Sequence, residues 1–103
     1  NCLLMANVTI TPLAKISNHV IVLPNTTIHH EVNVGEYNFI GSNVLLGGNV
    51  VIEPHCWIGS GSSIIHGVIV KECTMVGLGS NVIHDTKAFD KVFGNPATSK
   101  LNS

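Results

Sequence analysis

Residues 25–37 read NTTIHHEVNVGEY, and within them His29, His30 and Glu31 stand side by side. An imidazole next to a carboxylate can be a tuned general base, half of a metal site, or plain solvated surface. His84-Asp85 repeats the pairing later in the chain, and His19, His55 and His66 stand apart. Which histidine can do chemistry depends on where each one points. That is decided by the elements that carry them.

The 103 residues suffice for one compact domain. Charged residues make up 11% and aromatics 5%, and Val and Ile dominate the apolar set, which favours strands. A net charge of −1 leaves no basic footprint for nucleic acid. No apolar run approaches the roughly 20 residues of a membrane helix, and no basic, apolar leader opens the chain. Neither nucleic acid nor membrane is therefore expected as a partner. Cys2, Cys56 and Cys73 are odd in number and form no CxxC pair, so they read as free thiols of a reducing cytoplasm. The first residue is Asn1 rather than Met, which reads as part of something longer.

The organising signal is a period of six. Every sixth residue from Leu4 to Val82 is Val, Ile or Leu. Chance gives such a run with a probability on the order of one in ten million. The residue two before each aliphatic is usually small, as at Val8, Ala14, Thr26, Ser62 and Ser80, with Asn38 the polar exception. Period six excludes an amphipathic helix and a long alternating strand. It predicts an all-β parallel β-helix of hexapeptide repeats, three per coil, so that residues 18 apart stack about 4.8 Å from one another. Four to five coils are expected over residues 1–84. Residues 85–103 read as a C-terminal loop and tail, with a turn at Gly94-Asn95-Pro96.

This register assigns directions. The aliphatic and the residue two before it point inward, the residue after the aliphatic lies on a flat outer face, and the next two form a corner. His29 is then on a flat face, while His30 and Glu31 form a corner. Pro12, His30, Gly48, His66 and His84 share that corner, with Gly48 about 5 Å above His30 and His66 about 10 Å above it. His19 and His55 stack on another corner. Two coils is too far for two ligands of one zinc ion within a chain. A site between subunits, as in the γ-class carbonic anhydrases of this fold, would need the GH and LHG motifs of that family. Ile65-His66-Gly67 fits the second, but Gly61 stands where the first histidine belongs. No metal is expected.

With the register in place, three stretches carry a resemblance: Ile28 to Tyr37; Gly48-Asn49-Val50; and Val76-Gly77-Leu78-Gly79-Ser80 leading to Gly94-Asn95-Pro96-Ala97. The chain resembles the left-handed β-helix acyltransferases, in particular the sugar acetyltransferase branch with the bacillosamine and perosamine N-acetyltransferases and the sialic acid O-acetyltransferase type. The resemblance implies His30 as the proton acceptor, Glu31 as the acid that raises its basicity, and the Gly48 N–H as donor to the acetyl carbonyl. It implies acetyl-CoA as co-substrate, with Phe39, His66, Gly77, Leu78, Gly79 and Pro96 at the cofactor. It implies a homotrimer with active sites between subunits and a small-molecule sugar acceptor. Relatives carry an N-terminal nucleotide-sugar-binding domain, which is expected ahead of Asn1.

Two positions depart from that pattern. Phe39 stands where many relatives have a second histidine, and Thr98 follows the GNPA turn where a basic residue is common. The competing readings are a non-catalytic trimeric β-helix module and a carbonic-anhydrase-like metal enzyme.

Overall fold

The computed structural model describes residues 2–100; Asn1 and the last three residues of the expected tail lie outside them. Two-residue strands recur every six positions, as the period predicts. They begin with β1 (Leu3–Leu4), β2 (Thr9–Ile10), β3 (Lys15–Ile16), β4 (Ile21–Val22), β5 (Thr27–Ile28) and β6 (Asn33–Val34). They continue through β7 (Phe39–Ile40), β8 (Leu45–Leu46), β9 (Val51–Ile52) and β10 (Trp57–Ile58) to β11 (Ser63–Ile64), β12 (Ile69–Val70), β13 (Met75–Val76) and β14 (Asn81–Val82). Every third strand joins the same parallel sheet, and partners are 18 residues apart, as in Thr27↔Leu45 and Asn33↔Val51. The three sheets form the sides of a prism 36 Å long and about 20 Å across. The first side begins with β1 and β4, the second with β2 and β5, the third with β3 and β6. This is the hexapeptide-repeat β-helix expected from the sequence. Among the described residues no helix is long and apolar enough to cross a membrane.

The corners explain how the chain turns every six residues with glycine at only three of the turning positions. Every sixth residue from Asn7 to Gly79 has a positive φ, between 55° and 80°. Asn and Gly tolerate that conformation best, and they fill Asn7, Asn25, Asn43, Asn49, Gly61, Gly67 and Gly79. The residue before it has an N–H that no ladder bond uses. Pro12, Pro24 and Pro54 occupy that position, where a missing N–H costs nothing.

The inward aliphatics from Val22 to Val82 are buried and stack into one continuous core. Burying each such side chain stabilises by roughly 1.5–3 kcal/mol. The polar residues of the inward set are satisfied by the coil above. Thr26 donates to Gly41 O at 2.7 Å. Asn38 donates to Gly35 O and Glu53 O and accepts from Cys56 N at 2.9 Å. Cys2, Cys56 and Cys73 are free thiols.

The stretch after Val82 is more ordered than a loop and tail. Asp85 Oδ1 accepts the Ile69 N–H at 2.7 Å and Thr86 Oγ1 accepts that of Lys71 at 2.9 Å, so side chains close the last edge of the third side. The chain then returns to the first side as β15 (Lys91–Gly94), pairing Met75 with Lys91 after 16 residues rather than 18. It turns at Asn95-Pro96, the expected turn, into the antiparallel β16 (Ala97–Ser99). The period hides this hairpin because the shortened coil breaks the phase. The buried Asp90 anchors it, accepting from Ser99 Oγ at 2.5 Å and from Lys91 N at 2.8 Å.

Candidate active site

The corner between the second and third sides brings His30, Glu31, Gly48 and His66 together. It follows β5, so the inward pull on Ile28 and Val32 fixes where His30 and Glu31 emerge. His29 N–H bonds to Leu46 O at 3.0 Å and continues the ladder, which leaves its half-buried ring on the flat side. His30 stands at the turn, and its Nδ1 lies 3.8 Å from Glu31 Oε1. That is ion-pair range rather than a hydrogen bond. Both side chains are more than half exposed. Glu31 has φ 58°, a conformation that costs a residue with a Cβ roughly 1–2 kcal/mol.

The other edge of the His30 ring faces Gly48. A Cβ built on Gly48 would stand 2.8 Å from both Nε2 and Cε1 of His30 and 3.2 Å from Nδ1 of His66. Those contacts are too close for a real side chain, so glycine is what lets the two imidazoles converge. His66 lies two coils from His30 in its backbone, yet the two rings both reach over Gly48. Coil spacing alone had kept them apart. The Gly48 N–H has no partner among the described residues. Its carbonyl accepts the Gly67 N–H at 3.0 Å, and the Asn49 N–H bonds to His30 O at 3.0 Å, so both neighbouring coils clamp the glycine. Among the described residues no three metal-ligating side chains gather.

The other expected site residues are elsewhere in the chain. Phe39 projects from the first side, opposite this corner, and stacks on Trp57 with ring centroids 5.9 Å apart. Leu78 and Gly79 form a different corner, between the first and second sides, and both are exposed. Gly77 is enclosed: its N–H bonds to Val92 O, its carbonyl accepts from Ser62 Oγ, and a Cβ there would overlap the Phe93 ring. Both backbone groups of Gly77 are thus taken within the chain, because the β15–β16 hairpin covers it. Pro96 is exposed in the hairpin turn. Asp85 Oδ1 accepts the Ile69 N–H and so caps the third side, and His84 and Asp85 form no ion pair among the described residues.

Two features beside the corner escaped the sequence reading. His19 and His55 do share a corner, but Tyr37 fills the coil between them, with ring centroids 4.8 and 5.2 Å away. A groove of about 650 Å³ runs along the third side past Glu31, lined by Leu13, Lys15, Glu31, Asn33, Asn49 and Val51. The 18-residue rule could have found both, since it places 19, 37 and 55 on one corner and 15, 33 and 51 on one side.

The fold and corner define a hexapeptide-repeat β-helix. Residues 13–48 match the family model described as bacterial transferase hexapeptide (six repeats). No curated protein sequence matches the chain. Among solved structures, serine acetyltransferase from Neisseria gonorrhoeae in complex with serine superposes with a TM-score of 0.86 at 22% identity, over 90% of this chain and 42% of that one. A hexapeptide-repeat acetyltransferase from Vibrio cholerae with acetyl coenzyme A gives 0.86 at 20% identity, over 90% and 63%. A variant of perosamine N-acetyltransferase from Caulobacter crescentus, with CoA and GDP-perosamine, gives 0.70 at 22% identity, over 95% and 56%. At these identities the likeness establishes the fold. The chain spans 42 to 63% of the length of these three proteins.

Proposed function

We propose that the chain is the β-helix portion of an acetyltransferase that moves an acetyl group from acetyl-CoA to an amino or hydroxyl group of a sugar or nucleotide-sugar. One observation carries this reading: His30 has Glu31 near Nδ1 and its Nε2 edge packed against Gly48, where no Cβ stands between the imidazole and the backbone. Closing the 3.8 Å gap to a hydrogen bond would favour the tautomer protonated at Nδ1 and leave the Nε2 lone pair free to accept a proton. The solved neighbours include acetyltransferases bound to CoA or acetyl-CoA.

In this reading the acceptor's nitrogen or oxygen attacks the thioester carbonyl carbon while its proton passes to His30 Nε2. Glu31 positions the ring and stabilises the imidazolium. The carbonyl oxygen gathers charge beside the Gly48 N–H. As the C–S bond breaks, the thiolate takes the proton from the His30 imidazolium and leaves as CoA thiol, which restores the neutral base. General base catalysis contributes typically 10²–10⁴-fold, and a single oxyanion donor about 10²–10³-fold. Phe39, Leu78, Gly79 and Pro96 are too dispersed in one chain to join His30. A homotrimer with sites between subunits would supply them from a neighbour.

The test is release of CoA thiol from acetyl-CoA, with nucleotide amino-sugars and sialic acid as acceptors. His30→Gln should abolish acceptor-dependent release while the oligomer persists. An unchanged rate would remove His30 from the reaction.

A further inference from the structure

We infer that the groove beside Glu31 is the acceptor subsite and that it selects acceptors bearing a carboxylate or phosphate, held by Lys15. The inference rests on the acetyl-transfer reading for what happens at His30, but the groove's recognition chemistry stands on its own observations. Its floor is the outward residues of three stacked strands, Lys15, Asn33 and Val51, in register one coil apart. Its rim is Leu13, Glu31 and Asn49, the left-handed residues of the same three coils. Glu31 belongs to both features: one carboxylate lines the groove and stands beside the His30 imidazole. A molecule in the groove therefore lies within a residue of the base.

The lining chemistry specifies the ligand. Lys15 forms no ion pair among the described residues, although Glu31 lines the same groove, whereas Lys71 pairs with Glu53 at 3.8 Å. Asn33 and Asn49 provide amides that both donate and accept, suited to hydroxyls. Leu13 and Val51 provide apolar surface for a ring face or a methyl group. An unpaired ammonium, the Glu31 carboxylate at the His30 end, two amides and the apolar Leu13, Ala14 and Val51 line about 650 Å³ and fit a hydroxylated ring whose anionic substituent lies at Lys15. A neutral hexosamine would leave the ammonium unmatched.

Binding is measured on the full chain without acetyl-CoA, so that recognition is separated from transfer. The probes are glucuronate against its methyl ester, and glucosamine 1-phosphate against glucosamine. The anionic member of at least one pair should bind ten-fold or more tighter. The pair that discriminates tells whether the carboxylate or the phosphate is the natural handle. Lys15→Met should erase the preference and Lys15→Arg should keep it. Equal binding within both pairs, or a preference that survives Lys15→Met, overturns the inference. So does a Lys15→Met variant that shifts only the pH profile of thiol release, because Lys15 would then merely balance Glu31. If Lys15-dependent anion binding holds but no acceptor supports thiol release, the subsite stands and the acetyl-transfer reading fails.

Discussion

Two corners of the same prism carry histidines at the same spacing, and the residue between them makes the corners different. At one, His19, Tyr37 and His55 stack as parallel rings with no gap. At the other, His30 and His66 close over Gly48, where even a methyl group would crowd them. The two sets also hold different places in the turn, the stacked rings at its left-handed position and the converging pair one residue earlier. A ring in the middle coil makes a structural ladder, and a glycine there lets the flanking imidazoles converge. A histidine pair in a repeat fold is thus read from what separates its members.

Breaking the open corner should have the largest effect. His30→Gln is expected to lower acceptor-dependent thiol release by roughly 10²–10⁴-fold with an unchanged unfolding midpoint. Gly48→Ala places a methyl against the exposed His30 ring, which swings aside. Turnover should fall about 10²-fold, the scale of a misplaced catalytic group, with little change in thermal stability. Glu31→Asn separates the two demands on that corner. Asn tolerates the left-handed backbone better, so the unfolding midpoint should hold or rise while turnover falls about ten-fold, the scale of about 1.4 kcal/mol. A parallel loss of both would mean that Glu31 is structural.

The filled corner should respond the other way. Tyr37→Asn removes two stacking contacts worth roughly 0.5–1.5 kcal/mol each and relieves some backbone strain. A net loss of about 1 kcal/mol in denaturant unfolding is expected, with thiol release unaltered. The last test concerns the buried thiol that follows His55, and its effect appears only at alkaline pH. Burial pushes the Cys56 thiol up from 9.0 to about 11. Between those values the unfolded chain loses its proton first, so stability is complete below pH 9 and declines as pH rises toward 11. Cys56→Ala should flatten that decline in alkaline unfolding curves.

The period of six made the core, the sheet partners and the separation of His29 from His30 legible before any coordinates, because one inward aliphatic per side leaves a single register. It also placed Gly48 over His30. It did not reveal that His66 reaches the same space, because coil spacing counts backbone distance and the side chains lean across the glycine. It missed the enclosure of Gly77 for a different reason: β15 returns two residues early, and a periodic pattern cannot announce its own interruption. Glu31 shows the reverse. Nothing in the repeat asks for an acid at a left-handed corner, so its presence in sequence pointed to the site.

That early return has a consequence for how copies of this molecule meet. Identical rungs at constant spacing are a template, and an open rung invites another chain to continue it as a fibre. At the C-terminal end the template is spoiled. The last rung is two residues short, its final strand runs antiparallel, and Asp85 and Thr86 occupy donors that an incoming strand would seek. The hairpin thus works as a terminator for growth at that end, keeping a shape built for endless addition finite.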